Sequence, residues 1–156
     1  MITEPNQAQD EICSLINESW KLSVKDILNY CEKDMRWYGV KVKGVPDIPS
    51  QEKIWCQTRL FRIGERQHSL CNNVGVQGGR RFKINGKLKI EIFIPINESV
   101  KRIAGTLTHD LKVAIRKKNY TPGGVLLRNV EVVDGNKVNG WDCCAIWADY
   151  EYYEIG

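Results

Sequence analysis

The residues whose types and spacing come nearest to covalent chemistry are His68 and Cys71, three apart in a polar stretch. A thiolate nucleophile needs a base within hydrogen-bond reach and a third group that orients the base. Three-residue spacing in an extended or irregular segment fixes no such geometry, and no third member is apparent. Gly75-Val76-Gln77-Gly78-Gly79-Arg80-Arg81 has the glycines of a phosphate cradle. A P-loop, however, needs GxxxxGK[ST] between a strand and a helix, and here a strand pattern follows the glycines. The dinucleotide fingerprint fails on the same ground, which leaves a loop leading into a strand. Asp and Glu form no cluster resembling a metal site or a paired-carboxylate hydrolase. The cysteines stand at 13, 31, 56, 71, 143 and 144 without a CxxC pair, and His68 and His109 are not at ligand spacing from them. Zinc spacing is absent. The expectation is a protein that is not an enzyme, with no catalytic residues, no metal and no cofactor.

Composition narrows the class. The 156 residues are 42% hydrophobic and 27% charged, which suits one globular domain and excludes a wholly disordered chain. No apolar run approaches the roughly 18 residues of a membrane span, so no membrane partner is expected. The start, Met1-Ile2-Thr3-Glu4-Pro5-Asn6, lacks the basic and apolar stretches of a secretory signal, so a cytoplasmic chain with reduced, buried thiols is expected. Adjacent Cys143 and Cys144 would point to opposite faces of a strand. The balance of 23 basic against 19 acidic residues, +4, gives weak attraction to polyanions and no more.

The elements that must position any site follow from periodicity. Ile12, Leu15 and Ile16, then Val24, Ile27, Leu28 and Cys31, recur at helical spacing, with Ser23 able to cap a second segment. Gly39 to Ser50, broken by Gly39, Gly44, Pro46 and Pro49, predicts a short strand and an irregular connection. Ile54 to Ile63 is aromatic and β-branched and is expected to end at Gly64; Glu65 to Gly79 is expected to be a loop. In Lys87 to Ile94 every even residue is aliphatic, the alternation of a half-buried strand closed by Pro95. Asn85-Gly86 either turns a hairpin after Arg80–Ile84 or marks a bulge in one long strand.

An amphipathic helix is predicted over 98–119, with Val100, Ile103, Ala104, Leu107, Leu111, Ala114 and Ile115 on one face. Arg116, Lys117 and Lys118 complement the negative end of its dipole. Pro122-Gly123-Gly124 breaks it, and two strands follow, Val125 to Val133 and Trp141 to Tyr153. The predicted class is α+β: a mostly antiparallel, mixed sheet packed by an N-terminal helix and one amphipathic helix between strands. It forms a single domain over 1–156, with 1–50 as a helical N-terminal part and linker and 53–156 carrying the strands.

Charge and aromatics are then the remaining signal. Between Arg80 and Lys89 stand five bases (Arg80, Arg81, Lys83, Lys87, Lys89) and no acid, while Asp149, Glu151 and Glu154 interleave with Tyr150, Tyr152 and Tyr153. The basic run could be a solvated face, could meet a polyanion or the acidic strand of another copy, or could pair with that strand within one sheet. Trp141, Trp147 and the three tyrosines crowd the last strand. Aromatic rings are enriched at protein interfaces, which favours an assembling protein.

From about Lys53 to the end, an ordered series of pieces resembles the bacteriophage tail terminator, or tail completion, family of lambda-type minor tail protein U. The pieces are Ile54-Trp55-Cys56-Gln57-Thr58-Arg59 through Gly64-Glu65-Arg66-Gln67, then Gly79-Arg80-Arg81-Phe82, and Asn85-Gly86 into Leu88–Pro95. After an amphipathic helix come Gly123-Gly124-Val125, Arg128-Asn129-Val130, Gly140-Trp141 and Ala148-Asp149-Tyr150-Glu151-Tyr152. The first fifty residues lie outside the resemblance. It implies a structural virion protein of the tail or neck, assembled in the host cytoplasm. Such proteins form a ring, typically a hexamer, that caps the tail tube, stops its polymerisation and offers a joining surface to the head. The implied partners are further copies of the chain, the tail tube protein, head–tail connector proteins and DNA passing transiently through the lumen.

On this reading Arg66, Arg80, Arg81 and Lys83 face the channel or the tube, and Trp141, Tyr150, Glu151 and Tyr152 contribute to ring contacts. Two other readings stay open: another neck or head-completion connector, and a cytoplasmic nucleic-acid-binding module with Phe82 and Phe93 as stacking platforms.

Overall fold

The alternation in the centre of the chain decides the architecture, because a strand that is apolar on one side must be covered on that side. In a computed structural model, residues 2–4, 6–22, 33–38, 41, 43–44, 46, 48, 53–69, 81–96, 98–135, 137 and 140–155 are described. They form α1 (Gln7–Leu22), β1 (Lys33–Trp37), β2 (Ile54–Ser69), β3 (Arg81–Pro95), α2 (Glu98–Lys117), β4 (Leu126–Asp134) and β5 (Trp141–Ile155). One sheet runs β1-β2-β3-β5-β4, with β1 parallel to β2 and every other pair antiparallel. The chain is thus α+β with a mixed, mostly antiparallel sheet.

Even-numbered residues of β3 (Leu88, Ile90, Ile92, Ile94) and the even-numbered residues of β5 from Cys144 to Tyr152 look towards the helices. There they meet Ile12, Leu15, Ile16 and Trp20 of α1 and Ala104, Leu107, Leu111 and Ile115 of α2 in one core. Helix α1 is tied down at three points. Ile2 exchanges backbone hydrogen bonds with β5, from its N–H to the Tyr153 carbonyl (2.9 Å) and from the Ile155 N–H to its own carbonyl (3.2 Å). The Glu11 carboxylate accepts hydrogen bonds from the Thr121 hydroxyl and the Gly123 N–H, closing onto the turn after α2. Lys118 pairs with Glu18 at 3.3 Å.

Two expectations are corrected, and of the two readings of Asn85-Gly86 the long strand is the one observed. The strand sought between Gly39 and Ser50 lies earlier, at Lys33–Trp37, where Met35 and Trp37 pack against the core. Gly64 does not end β2. A register shift between Arg62 and Gly64 expels Ile63 as an exposed bulge, and the strand runs on to Ser69, so Glu65–Ser69 is strand rather than loop. Asn85-Gly86 turns no hairpin: β3 is one continuous strand, and the irregularity sits on β2 opposite it. The second helical segment from Ser23 and the loop from 70 to 80 lie outside the described residues.

Both edges of the sheet are partly capped. On β1 the Arg36 guanidinium donates to the Met35 carbonyl and to the Pro46 carbonyl, each at 2.9 Å. On β4 the Arg116 guanidinium donates to the Val130 carbonyl at 2.6 Å, and the Leu127 N–H donates to the Asn119 carbonyl at 2.8 Å. Side-chain caps of this kind blunt an edge that would otherwise template further strands.

Candidate functional site

The odd-numbered residues of β3 define the other face. At one end, Trp55, Phe93 and Trp141 form a second buried cluster joined by Cys143, with Trp55 stacked on Phe93 at 4.1 Å. Cys144 looks the opposite way and meets the Thr108 hydroxyl of α2, so the adjacent thiols do lie on opposite faces. Across the middle runs a row of rings and cations. The Arg59 guanidinium lies 4.0 Å from the Tyr38 ring and 4.4 Å from Phe61, Phe61 stacks on Trp147 at 6.0 Å, and Lys89 sits over Trp147. Cation–π contacts of this kind hold long side chains flat on a sheet face.

At the far end the sequence-predicted basic residues gather. Register places Arg66 directly opposite Lys83, and Arg81 stands two residues from Lys83 on the same side. Arg80 lies outside the described residues. The same register brings the acidic stretch of β5 alongside: Lys83 pairs with Glu151 at 2.9 Å and Lys87 with Asp149 at 3.1 Å. Arg128 of β4 reaches Glu151 at 3.1 Å, and the Asn129 amide donates to Asp149 at 2.8 Å. The amide of Asn129 and the ammonium of Lys87 hold the Asp149 carboxyl below its usual range. The basic and acidic strands therefore meet inside one subunit. That leaves Arg66 and Arg81 without a carboxylate among the described residues: there Arg66 has no hydrogen bond or ion pair, and Arg81 lies over the Tyr153 ring at 4.2 Å with its Nε buried and unbonded. Five cations (Arg66, Arg81, Lys83, Lys87, Arg128) against Asp149 and Glu151 make this end of the face positive.

The proposed ring residues are placed differently. Trp141 is 5% and Tyr150 6% exposed, the first in the aromatic cluster and the second in the main core. In the single chain neither has much area to offer a neighbour. Tyr152 is half-buried and stacks on Tyr150 at 6.3 Å, and Glu151 is engaged by two cations. Phe93 is buried between Trp55 and Trp141 and cannot act as a stacking platform for bases. What the sequence reading passed over is the Tyr38–Arg59–Phe61–Trp147–Lys89 row. Its signal was present in the odd positions of β2, where Arg59 and Phe61 fall two apart.

For nucleophilic chemistry the described thiols are poorly suited. Burial, with the Asp10 charge behind it, pushes the Cys13 thiol up to about 11, and burial likewise raises Cys144. The side chains of His68 and Cys71 lie outside the described residues. Among the described residues no three of His, Cys, Asp and Glu are grouped to hold a metal ion, and no helix is long and apolar enough to cross a membrane.

No protein-family model and no curated protein matches the chain. Among solved structures 21 chains match. One of them, whose name carries no description, superposes with a TM-score of 0.55 at 13% identity, over 93% of this chain and 95% of its own. That likeness extends to the fold alone.

Proposed function

We propose that this chain is the subunit of a ring that caps a bacteriophage tail tube, stops its polymerisation and offers the surface to which the head joins, with DNA passing through the lumen. The observation that carries the reading is the pair of uncompensated arginines, Arg66 and Arg81, at one end of the open sheet face. Their neighbours at that end, Lys83, Lys87 and Arg128, are matched by Asp149 or Glu151. A cation without an internal partner is free to serve an external anion, whether an acidic rim of the tube or a passing phosphate. A single domain of this size has a radius of gyration of about 15 Å, so one copy cannot encircle a duplex, whereas a closed ring of copies can. Two unpaired cations per subunit are also a modest charge, and modest charge lets phosphates pass, because many tight phosphate contacts would hold DNA in place. The ordered series of motifs from Lys53 onward supports the same reading.

The test is tube growth. Purified protein added to polymerising tail tube protein should give tubes of arrested length with extra density at one end in negative-stain images. Tubes of unchanged length with bare ends would overturn the reading. Co-purification with heads that lack tails, rather than with tails that lack heads, would assign the chain instead to a head-completion connector.

A further inference from the structure

Trp141 and Tyr150 are spent inside the subunit, so a ring contact has to be found elsewhere. Among the described residues seven large hydrophobic side chains are exposed, and four of them lie at the two opposite edges of the sheet. Val132 and Val133 are on β4, Tyr38 directly follows β1, and Ile48 lies two residues beyond Pro46, whose carbonyl is held by Arg36 of β1. The edges differ in charge. Around the valines stand Glu131 and Asp134, both exposed, with Asp142 across the groove between α2 and β4; three carboxylates there outnumber the one lysine, Lys112, that lines the same groove with His109. Around Tyr38 and Ile48 stand Arg36, Lys41 and Lys43.

Backbone groups point the same way. The Gly135 N–H donates to the Cys143 carbonyl, and antiparallel alternation then turns the N–H and C=O of residues 131 and 133 towards β5 and those of Val132 and Asp134 outward. The nearer half of this edge is closed by Arg116 and Asn119, but among the described residues nothing is bonded to the outer side of Glu131–Asp134. Unpaired edge groups beside exposed valines are a docking surface that a monomer gains nothing by keeping.

We propose that the acidic β4 edge of one copy docks on the basic β1 edge of the next. Val133, which shares the open face with Tyr38, would pack against it, and Glu131 and Asp134 would face Lys41 and Lys43. This rests on the ring reading above and adds the surfaces that close it. The contact is heterologous, one patch against a different patch, and repeated head to tail it generates a ring when the rotation closes. Because Arg36 already occupies the Met35 carbonyl, the two sheets abut through side chains and strand ends instead of forming one uninterrupted ladder.

Charge reversal tests it. The wild-type protein, measured by light scattering over a wide concentration range and in the presence of tail tubes, should have a mass several times that of one 17.9 kDa chain. Glu131→Lys with Asp134→Lys should reduce it to the single-chain mass, and so should Lys41→Glu with Lys43→Glu. All four substitutions together should restore the multiple, since opposite charges face each other again. Circular dichroism on every variant separates lost assembly from lost folding, and Val133→Ser, a mild change at an exposed site, should weaken assembly without altering the spectrum. Folded reversal variants that assemble like wild type, or a folded quadruple variant that stays monomeric, would sink the edge assignment while leaving the ring intact. A wild-type chain that remains single under all conditions removes the ring and the edges together.

Discussion

Gly86 is a glycine because other atoms occupy the space its side chain would need. A Cβ there would collide with the Phe61 carbonyl and with the ring of Tyr150, which lies across from it on β5. An aromatic ring covering a cross-strand glycine is a recognised device for filling the gap that a missing side chain leaves. Gly86→Ala should therefore cost about 1–3 kcal/mol by overpacking, read as a lower urea midpoint. The same ring makes the protein alkali-sensitive. Burial raises the Tyr150 phenol from 10.0 to about 12. Above pH 10 the unfolded chain releases a proton that the folded chain keeps, so stability falls as pH climbs towards 12. Tyr150→Phe should flatten that decline in melting temperatures measured across the range. At the acid end the sign reverses. Asp149 is held below its ordinary 3.8 by Asn129 and Lys87, so its contribution is present above that value and fades as pH falls through the lowered one. Asp149→Asn should make the melting temperature less pH-dependent below about pH 4. The effect will be small, because the side chains are solvent-screened.

Among the elements, β3, α2 and β5 were readable because each carries a long, clean period: even-residue aliphatics in Leu88–Ile94, a continuous apolar face in α2, and aromatic density in β5. The two misplaced pieces share a cause. Lys33-Asp34-Met35-Arg36-Trp37 has three charges in five residues and no β-branched residue, so only its pairing with β2 makes it a strand. Glu65–Ser69 is polar throughout and is strand because β3 continues opposite it. The basic residues of the site were legible by type, but their partners were not. Lys83 and Glu151 meet through a register between strands 68 positions apart in sequence, which no local pattern encodes. The second aromatic cluster has a practical consequence at this scale. Trp141→Ala should cost about 3–5 kcal/mol, because it opens a cavity beside Trp55 and Phe93. It would reduce assembly, if at all, by unfolding the subunit, so equilibrium denaturation has to accompany any assembly measurement on that variant.

For the whole molecule, the proposed role separates stability from function. Arg66 is exposed and has no partner among the described residues, so Arg66→Glu should leave the unfolding free energy within about 0.5 kcal/mol of wild type. Combined with Arg81→Glu it should still impair tube capping. Capping at normal efficiency by a folded double variant would take these arginines out of the functional surface.

The position of β5 between β3 and β4 has a consequence for synthesis. β5 is made after both of the strands it pairs with, and it also supplies the backbone that holds Ile2. Until it emerges, the nascent β2–β3 pair carries the aliphatic row from Ile84 to Ile94 with one whole side unzipped, and α1 has only part of its seat. The sheet therefore closes only once β5 is available. A shortage of chaperones, or a ribosome stalled before β5, should harm this chain more than one whose interior strands are all made early.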